Sequence, residues 1–239
     1  MENCIEVKDL TKSYHNKNVV DHLSFVVKTG EVYGILGHNG AGKTTTIESI
    51  LGLKKPDMGY AKICGKDARK ERRTLFEKVG VQLQASYYPD NIKVGEVCEE
   101  TAALYQNPAN YHQLLKDFQL DSFENQFVEQ LSGGEKQKLS VVVALIPRPE
   151  IIFLDELTTG LDVMARHEVW DILKALKKQG MTIVLTTHYM EEAEYLCDRV
   201  LFLKNGRKVE EGTVKDIIAS KPYQNLEDAY LTLMKEDIS

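Results

Sequence analysis

The run Gly37-His38-Asn39-Gly40-Ala41-Gly42-Lys43-Thr44 constrains this chain more than any other segment. It has the form G-x-x-x-x-G-K-[ST], and Glu31-Val32-Tyr33-Gly34-Ile35-Leu36 before it is a largely apolar run of buried-strand type. A helical segment follows from about Lys43 to Leu51, closed by Gly52 and Pro56. A buried strand feeding a glycine-rich turn and then a helix points to an α/β layer structure. Consecutive N–H groups in such a turn curl around phosphate oxygens, and the following helix adds its positive end. Gly37, Gly40 and Gly42 let the backbone approach without a side-chain clash. Lys43 brings a point charge to the β- and γ-phosphates, and the Thr44 hydroxyl is suited to ligate Mg²⁺. His38, Asn39, Ala41 and Thr45 complete the candidate phosphate-binding segment.

A second glycine-rich turn, Leu131-Ser132-Gly133-Gly134-Glu135, opens another helical pattern. Between it and the C-terminus, Ile151-Ile152-Phe153-Leu154 reads as a buried strand ending in Asp155-Glu156. Carboxylates at a strand's C-terminal edge lie where α/β sheets bind ligands. Asp155 is a candidate Mg²⁺ holder and Glu156 a candidate to orient or deprotonate an attacking water. Met181–Thr187 is a further strand ending in His188, which either donates a hydrogen bond to a γ-phosphate or merely faces solvent.

The remaining patterns fit one α/β assembly with a helical insertion. Cys4 to Leu10 reads as a strand running into the turn Thr11-Lys12-Ser13-Tyr14, and Val19 to Val27 as a second strand. Lys66 to Lys78 is charged and helix-permissive, and Val79 to Leu83 is strand-like. Helical patterns dominate 85–149, at Val94–Tyr105, Tyr111–Phe118 and Gly134–Ile146. Helix Val163–Lys178, a helix from near Tyr189, and strands Val200–Leu203 and Lys208–Glu210 around Asn205-Gly206 follow. The expected organisation is a core of 1–84 and 150–220, a helical subdomain at 85–149 and a C-terminal tail at 221–239.

The net charge of −6 does not favour nucleic acid as a partner. No apolar run approaches the ~18–20 residues needed to cross a bilayer, and no signal peptide is evident at Met-Glu-Asn-Cys-Ile-Glu. Cys4, Cys64, Cys98 and Cys197 are widely spaced and read as reduced thiols of a cytosolic protein. The cluster Lys62, Lys66, Arg69, Lys70, Arg72, Arg73 and Lys78 reads as a solvated helix face, with anionic lipid or nucleic acid as the alternative.

Together these motifs resemble the ATP-binding cassette (ABC) family, the nucleotide-binding subunits of ABC transporters, over roughly Ile5 to Ser220. The turn at Leu131–Glu135, similar to the ABC signature, is the most specific of them. The resemblance implies a P-loop NTPase fold: a RecA-like core, an N-terminal antiparallel β subdomain and an inserted helical subdomain. It implies that Tyr14 stacks on adenine, that Gln84 reaches Mg²⁺ and the attacking water, and that Asp162 belongs to the D-loop. His188 becomes the switch histidine. Ser132, Gly133, Gly134 and Glu135 would meet the ATP held by a second such domain, so two domains would close head to tail around two ATP molecules. A homodimer is expected, with a heterodimer as the alternative. Glu135 stands where Gln is common, Leu157 and Val163 where Pro is common, and Val142-Val143 where smaller or basic residues are common.

Thr187-His188-Tyr189-Met190-Glu191-Glu192-Ala193-Glu194 and the P-loop look most like bacterial exporters of drugs and antibiotics, whose membrane protein is usually a separate chain. The resemblance thus implies an ATPase driving export of a drug, antibiotic, lipid or similar compound. It would sit at the cytoplasmic face of the membrane, held there by a permease. Tyr87, Tyr88 and Pro89 are candidates for the permease-facing surface, or a local turn packed on its own domain. An importer ATPase is the rival reading. A soluble ABC ATPase acting on ribosomes or nucleic acid is the alternative from a different class, although Thr45 to Gln130 holds no sustained heptads of the kind that DNA-acting members insert.

Overall fold

The computed structural model describes residues 2–83 and 88–235; Gln84 and Tyr87, both singled out above, lie outside them. The elements begin with β1 (Asn3–Tyr14), β2 (Lys17–Lys28), β3 (Val32–Leu36), α1 (Lys43–Ile50), β4 (Met58–Ile63) and α2 (Arg72–Leu75). Then come β5 (Val79–Gln82), α3 (Val94–Ala102), α4 (Tyr111–Asp117), α5 (Gly133–Leu145), β6 (Ile151–Asp155) and α6 (Val163–Lys178). The chain continues with β7 (Thr182–Thr187), α7 (Met190–Leu196), β8 (Arg199–Lys204), β9 (Arg207–Thr213), α8 (Val214–Ser220) and α9 (Leu226–Lys235). They fall into two compact units, Met1–Leu75 with Thr182–Ser239, and Phe76–Met181.

In the first unit, β1 runs antiparallel between β2 and β4. The strand continues through Thr11 to Tyr14, where the sequence suggests a turn, because Ser13 and Tyr14 still pair with Asn18 and Lys17. Strand β4 was not legible: its burial alternates only weakly, and its pairing with β1 is a long-range contact. β3 is buried at all five positions, as an apolar central strand requires. It pairs in parallel with β7 and β8, and β9 returns antiparallel to β8 through the Asn205-Gly206 turn. Both turn residues have positive φ, 50° and 81°, which suits the Asn-Gly hairpin signal.

That turn ties the unit together. The Gly206 amide donates to the Ala41 carbonyl at 2.9 Å, and the Asp21 amide donates to the Gly206 carbonyl at 2.9 Å. Arg207 pairs with the Asp21 carboxylate at 2.6 Å. Segment 221–239, expected as a tail, carries helix α9, which buries Leu226, Ala229 and Leu233. The stretch Lys66–Lys78 forms only the short helix α2. The basic cluster is therefore not one helix face. Lys62 lies over the Tyr60 ring, Lys66 pairs with Glu71, Arg69 with Asp67, and Lys78 with Glu150.

In the second unit, β5 and β6 pair in parallel, with Gln82 opposite Leu154. Helix α5 packs so tightly on β5 that a side chain at Gly80 would overlap the Ala144 carbonyl. Helix α6 buries Val169, Trp170, Leu173 and Leu176, an i, i+1, i+4, i+7 face of an amphipathic helix. Among the described residues no helix is long and apolar enough to cross a membrane.

Hydrogen bonding from His22, then the Arg207 pair, lowers the Asp21 carboxyl from 3.8 to about 2. Its stabilising effect is complete above the ordinary carboxyl value and is lost as pH falls through about 2. Asp21→Asn is therefore expected to melt a few degrees below wild type at pH 7. The gap should close as the pH is lowered toward 2, read from melts of both proteins across that range. The four cysteines are unbridged; Cys64 is exposed and the others are buried. Burial pushes Cys4 to about 11 and Cys98 to about 12. A maleimide should label native protein at Cys64 first and reach Cys4 and Cys98 only after unfolding, as peptide mass spectrometry would read.

Candidate functional site

The first unit carries the phosphate-loop residues, Tyr14 and His188. Gly37 is buried beneath the loop: a Cβ there would sit 2.5 Å from the Leu203 carbonyl oxygen. Gly40 has φ +82° with open space around it, so its need for glycine is conformational rather than steric. Gly42, the N-cap of α1, has φ 108° and provides no side-chain cap, and α1 has no acid in its first turn. A helix N-terminus left uncapped and without negative charge is electrostatically suited to an anion.

Lys43 is only 4% exposed, and its ammonium folds back onto the loop. It donates to the carbonyls of Gly37 at 2.9 Å and His38 at 3.2 Å. His38, Asn39 and Gly40 form the exposed rim, and Thr44 and Thr45 are half-buried at the start of α1. The register pairs Leu36 with Thr187, so Gly37 and His188 leave the sheet from adjacent strand ends. The half-buried His188 ring lies 4.2 Å from that of Tyr189.

Tyr14 ends β1 and is 37% exposed. Lys12 and Lys54 place their ammonium groups 5.3 and 5.5 Å from its ring centroid, and Lys54 also pairs with Glu48 at 2.7 Å. Lys54 did not stand out in the sequence, because a cation over a ring 40 residues away leaves no local pattern.

The second unit carries the carboxylates and the second glycine-rich turn. Asp155 ends β6 fully buried, and Glu156 follows at 8% exposure. Glu156 holds φ 51°, a left-handed conformation uncommon for a residue with a side chain. Backbone strain of this kind clusters at functional sites. The turn after it is closed by the Thr159 amide donating to the Glu156 carbonyl at 3.1 Å, with Leu157 and Thr158 buried.

Ser132 caps α5. Its Oγ accepts from the Glu135 amide at 3.3 Å, and the Glu135 carboxylate accepts from the Ser132 amide at 2.7 Å. This capping box engages Glu135 locally, so the acid that stands where Gln is common turns back onto its own helix end. Asp162 caps α6 in the same way, accepting from the Ala165 amide at 3.0 Å. The two helix starts line one concavity of about 350 Å³, where Lys138 and Glu168 pair at 2.6 Å. Tyr88 Oη lies 3.4 Å from the Ser140 Oγ on α5, and Pro89 is exposed.

The family model described as ABC transporter matches residues 20–159. The Nod factor export ATP-binding protein I of Paraburkholderia xenovorans is 41% identical over 229 residues, covering 92% of this chain and 74% of that protein. Its namesake from Rhizobium etli is 40% identical, over 90% of this chain and 69% of the other. A solved ATP-binding subunit of an ABC transporter superposes with a TM-score of 0.87 at 31% identity, over 97% of this chain and 99% of that one. This chain is an ABC transporter ATP-binding subunit. At 22% identity, an ATP-binding cassette in its ADP conformation shares the fold, with a TM-score of 0.82. The expected cassette fold, with its antiparallel β subdomain, is thus the observed one. The chain binds ATP and is an ATPase by its family.

For this cassette, Ser132→Ala is expected to remove about 0.5–2 kcal/mol of stability by uncapping α5. Glu135→Gln should remain near wild type, because Gln also completes a capping box. Urea denaturation of the three proteins would read both effects, and equal midpoints for Ser132→Ala and wild type would exclude a stabilising cap.

Proposed function

We propose that this ATPase powers export through a separate membrane permease, working as a pair of cassettes. The uncapped start of α1, with Lys43 folded onto the loop, carries the nucleotide part of this reading. The names of its Nod factor export relatives support the outward direction.

In this reading Tyr14 stacks on the base. Gly37 to Thr45 offers the phosphates a row of N–H groups, and Lys43 adds charge at the β- and γ-phosphates. Thr44 and Asp155 would hold Mg²⁺, with Gln84 as a further ligand; hydroxyl and carboxylate oxygens suit that hard cation. When bound, the cation would neutralise charge on the phosphate oxygens. Glu156 orients and deprotonates the attacking water, and His188 donates a hydrogen bond to the γ-phosphate. Ser132, Gly133 and Gly134 would present a helix start to the ATP of the partner cassette, with Asp162 at the same face. A second copy of this chain is the expected partner, because one chain carries the full motif set. Tyr88 and Pro89, with Tyr87, are the proposed permease-facing residues, which would hold the subunit at the cytoplasmic face of the membrane.

Lys43→Ala should weaken ATP binding and cut turnover at least about tenfold, the effect of losing about 1.4 kcal/mol of phosphate stabilisation. Unchanged turnover would remove Lys43 from the site. Glu156→Gln should nearly abolish phosphate release while ATP shifts the protein to a dimer in size-exclusion chromatography. Tagged Glu156→Gln, isolated with ATP from solubilised membranes of its source cells, should bring a stoichiometric polytopic membrane protein with it. Recovery with ribosomes or DNA would move the reading to a soluble ABC ATPase.

A further inference from the structure

Helix α1 starts at the phosphate loop, and the turn that ends it reaches Tyr14. Gly52, with φ 68°, bends the chain back after the helix. The Leu53 amide donates to the Glu48 carbonyl at 2.8 Å and the Gly52 amide to the Ser49 carbonyl at 3.2 Å, the paired bonds of a Schellman stop. Lys54 leaves this turn held twice by Glu48. Its amide donates to the Glu48 carbonyl at 3.1 Å, and its ammonium pairs with the Glu48 carboxylate at 2.7 Å. The same ammonium lies over the Tyr14 ring, 5.5 Å from the centroid. Asp57, three residues on, makes a second anchor. Its carboxylate accepts from the Ser13 amide at 2.6 Å and pairs with Lys12 at 3.0 Å, and Lys12 also lies over the ring, at 5.3 Å. The ring keeps 37% of its surface exposed, so packing alone does not fix it. A cation over its face adds an attraction that depends on the ring's orientation.

We propose that Lys54, braced by Glu48, is a positioning residue for Tyr14 and sets how tightly the base end of the nucleotide is held. The proposal rests on the reading of Tyr14 as the residue that stacks on the base. A base stacks only on a ring that stands in the right plane, at the right distance from the phosphates. Glu48 and Lys54 belong to α1 and the turn that ends it, so the ring is tied to the same helix whose start faces the phosphates. Stacking surface and phosphate site then keep a fixed spacing. Without the Lys54 cation the ring samples orientations that cannot stack, and a site populated only in part binds more weakly by that fraction. Lys54 acts through the ring, so a ligand that has phosphates but no base does not sense it.

The test uses the full chain with Lys54→Met, which keeps an unbranched side chain and removes the charge, and Lys54→Arg, which keeps the charge. Calorimetry with magnesium present reads the binding of ADP and of pyrophosphate, the second of which lacks the base. Lys54→Met should raise the Kd for ADP about two- to fivefold, the effect of losing one exposed cation–ring contact. Its affinity for pyrophosphate and its melting temperature should stay as in wild type. Lys54→Arg should bind ADP more nearly as wild type does, because a guanidinium also stacks on aromatic faces. In a Tyr14→Leu background, adding Lys54→Met should weaken ADP binding no further. An unchanged Kd for ADP in Lys54→Met would overturn the proposal, as would an equal loss for pyrophosphate, an Arg variant as weak as the Met one, or a further loss in the Tyr14→Leu background. Failure of the underlying reading shows separately. Tyr14→Leu would then bind ADP as wild type does, which overturns both, whereas a weakened Tyr14→Leu beside an unaffected Lys54→Met overturns the proposal alone.

Discussion

The phosphate loop is held by main-chain contacts that leave no room for a side chain at Gly37 or Gly42. The Leu203 carbonyl sits beneath Gly37, and the Gly206 amide grips the Ala41 carbonyl. The same Gly206 carbonyl takes the Asp21 amide, so β2, the β8–β9 turn and the loop share one backbone junction. Buried backbone groups must be paired, and here the pairing fixes the loop's shape as well as its solvation. β3 and β8 bring the loop and Leu203 together, β9 closes the turn, and Arg207 clamps Asp21.

Charge around the loop is arranged just as closely. Helix α1 begins with neither a cap nor an acid, which keeps its positive end available. Lys43 is buried yet satisfied by two loop carbonyls, so the ammonium avoids the large cost of an unpaired buried charge. The second unit treats its helix starts differently. Ser132 and Asp162 both cap their helices with side chains, and Glu135 completes a reciprocal pair. Glu135 is thereby tied to its own helix end.

What could be read in the sequence was what local pattern encodes. Strand β3 with its glycine loop, the Asn205-Gly206 hairpin and the amphipathic helix α6 each announce themselves within a few residues. Strand β4 did not, because a six-residue strand with a glycine near its start gains its identity from pairing with β1. Helix α2 shrank to four residues because the charged stretch around it offers little apolar surface to bury. Helix α9 escaped because its packing depends on partners set by the fold, among them Phe202, which meets the Tyr230 ring. The site residues followed the same division. Motif membership named Lys43, Asp155 and His188, while Lys54 over Tyr14 and the Phe202–Tyr230 ring contact exist only once distant segments meet.

The left-handed backbone of Glu156 also bears on how this chain could change. A conformation of this kind costs on the order of 1–3 kcal/mol, which the buried surroundings of Leu157 and Thr158 sustain. Glycine would occupy the position without that strain. A population selected only for robustness to heat would therefore find a ready improvement at the residue proposed to carry the catalytic carboxylate. On that proposal, keeping Glu156 leaves the fold less stable than its backbone allows, a standing exchange of durability for chemistry.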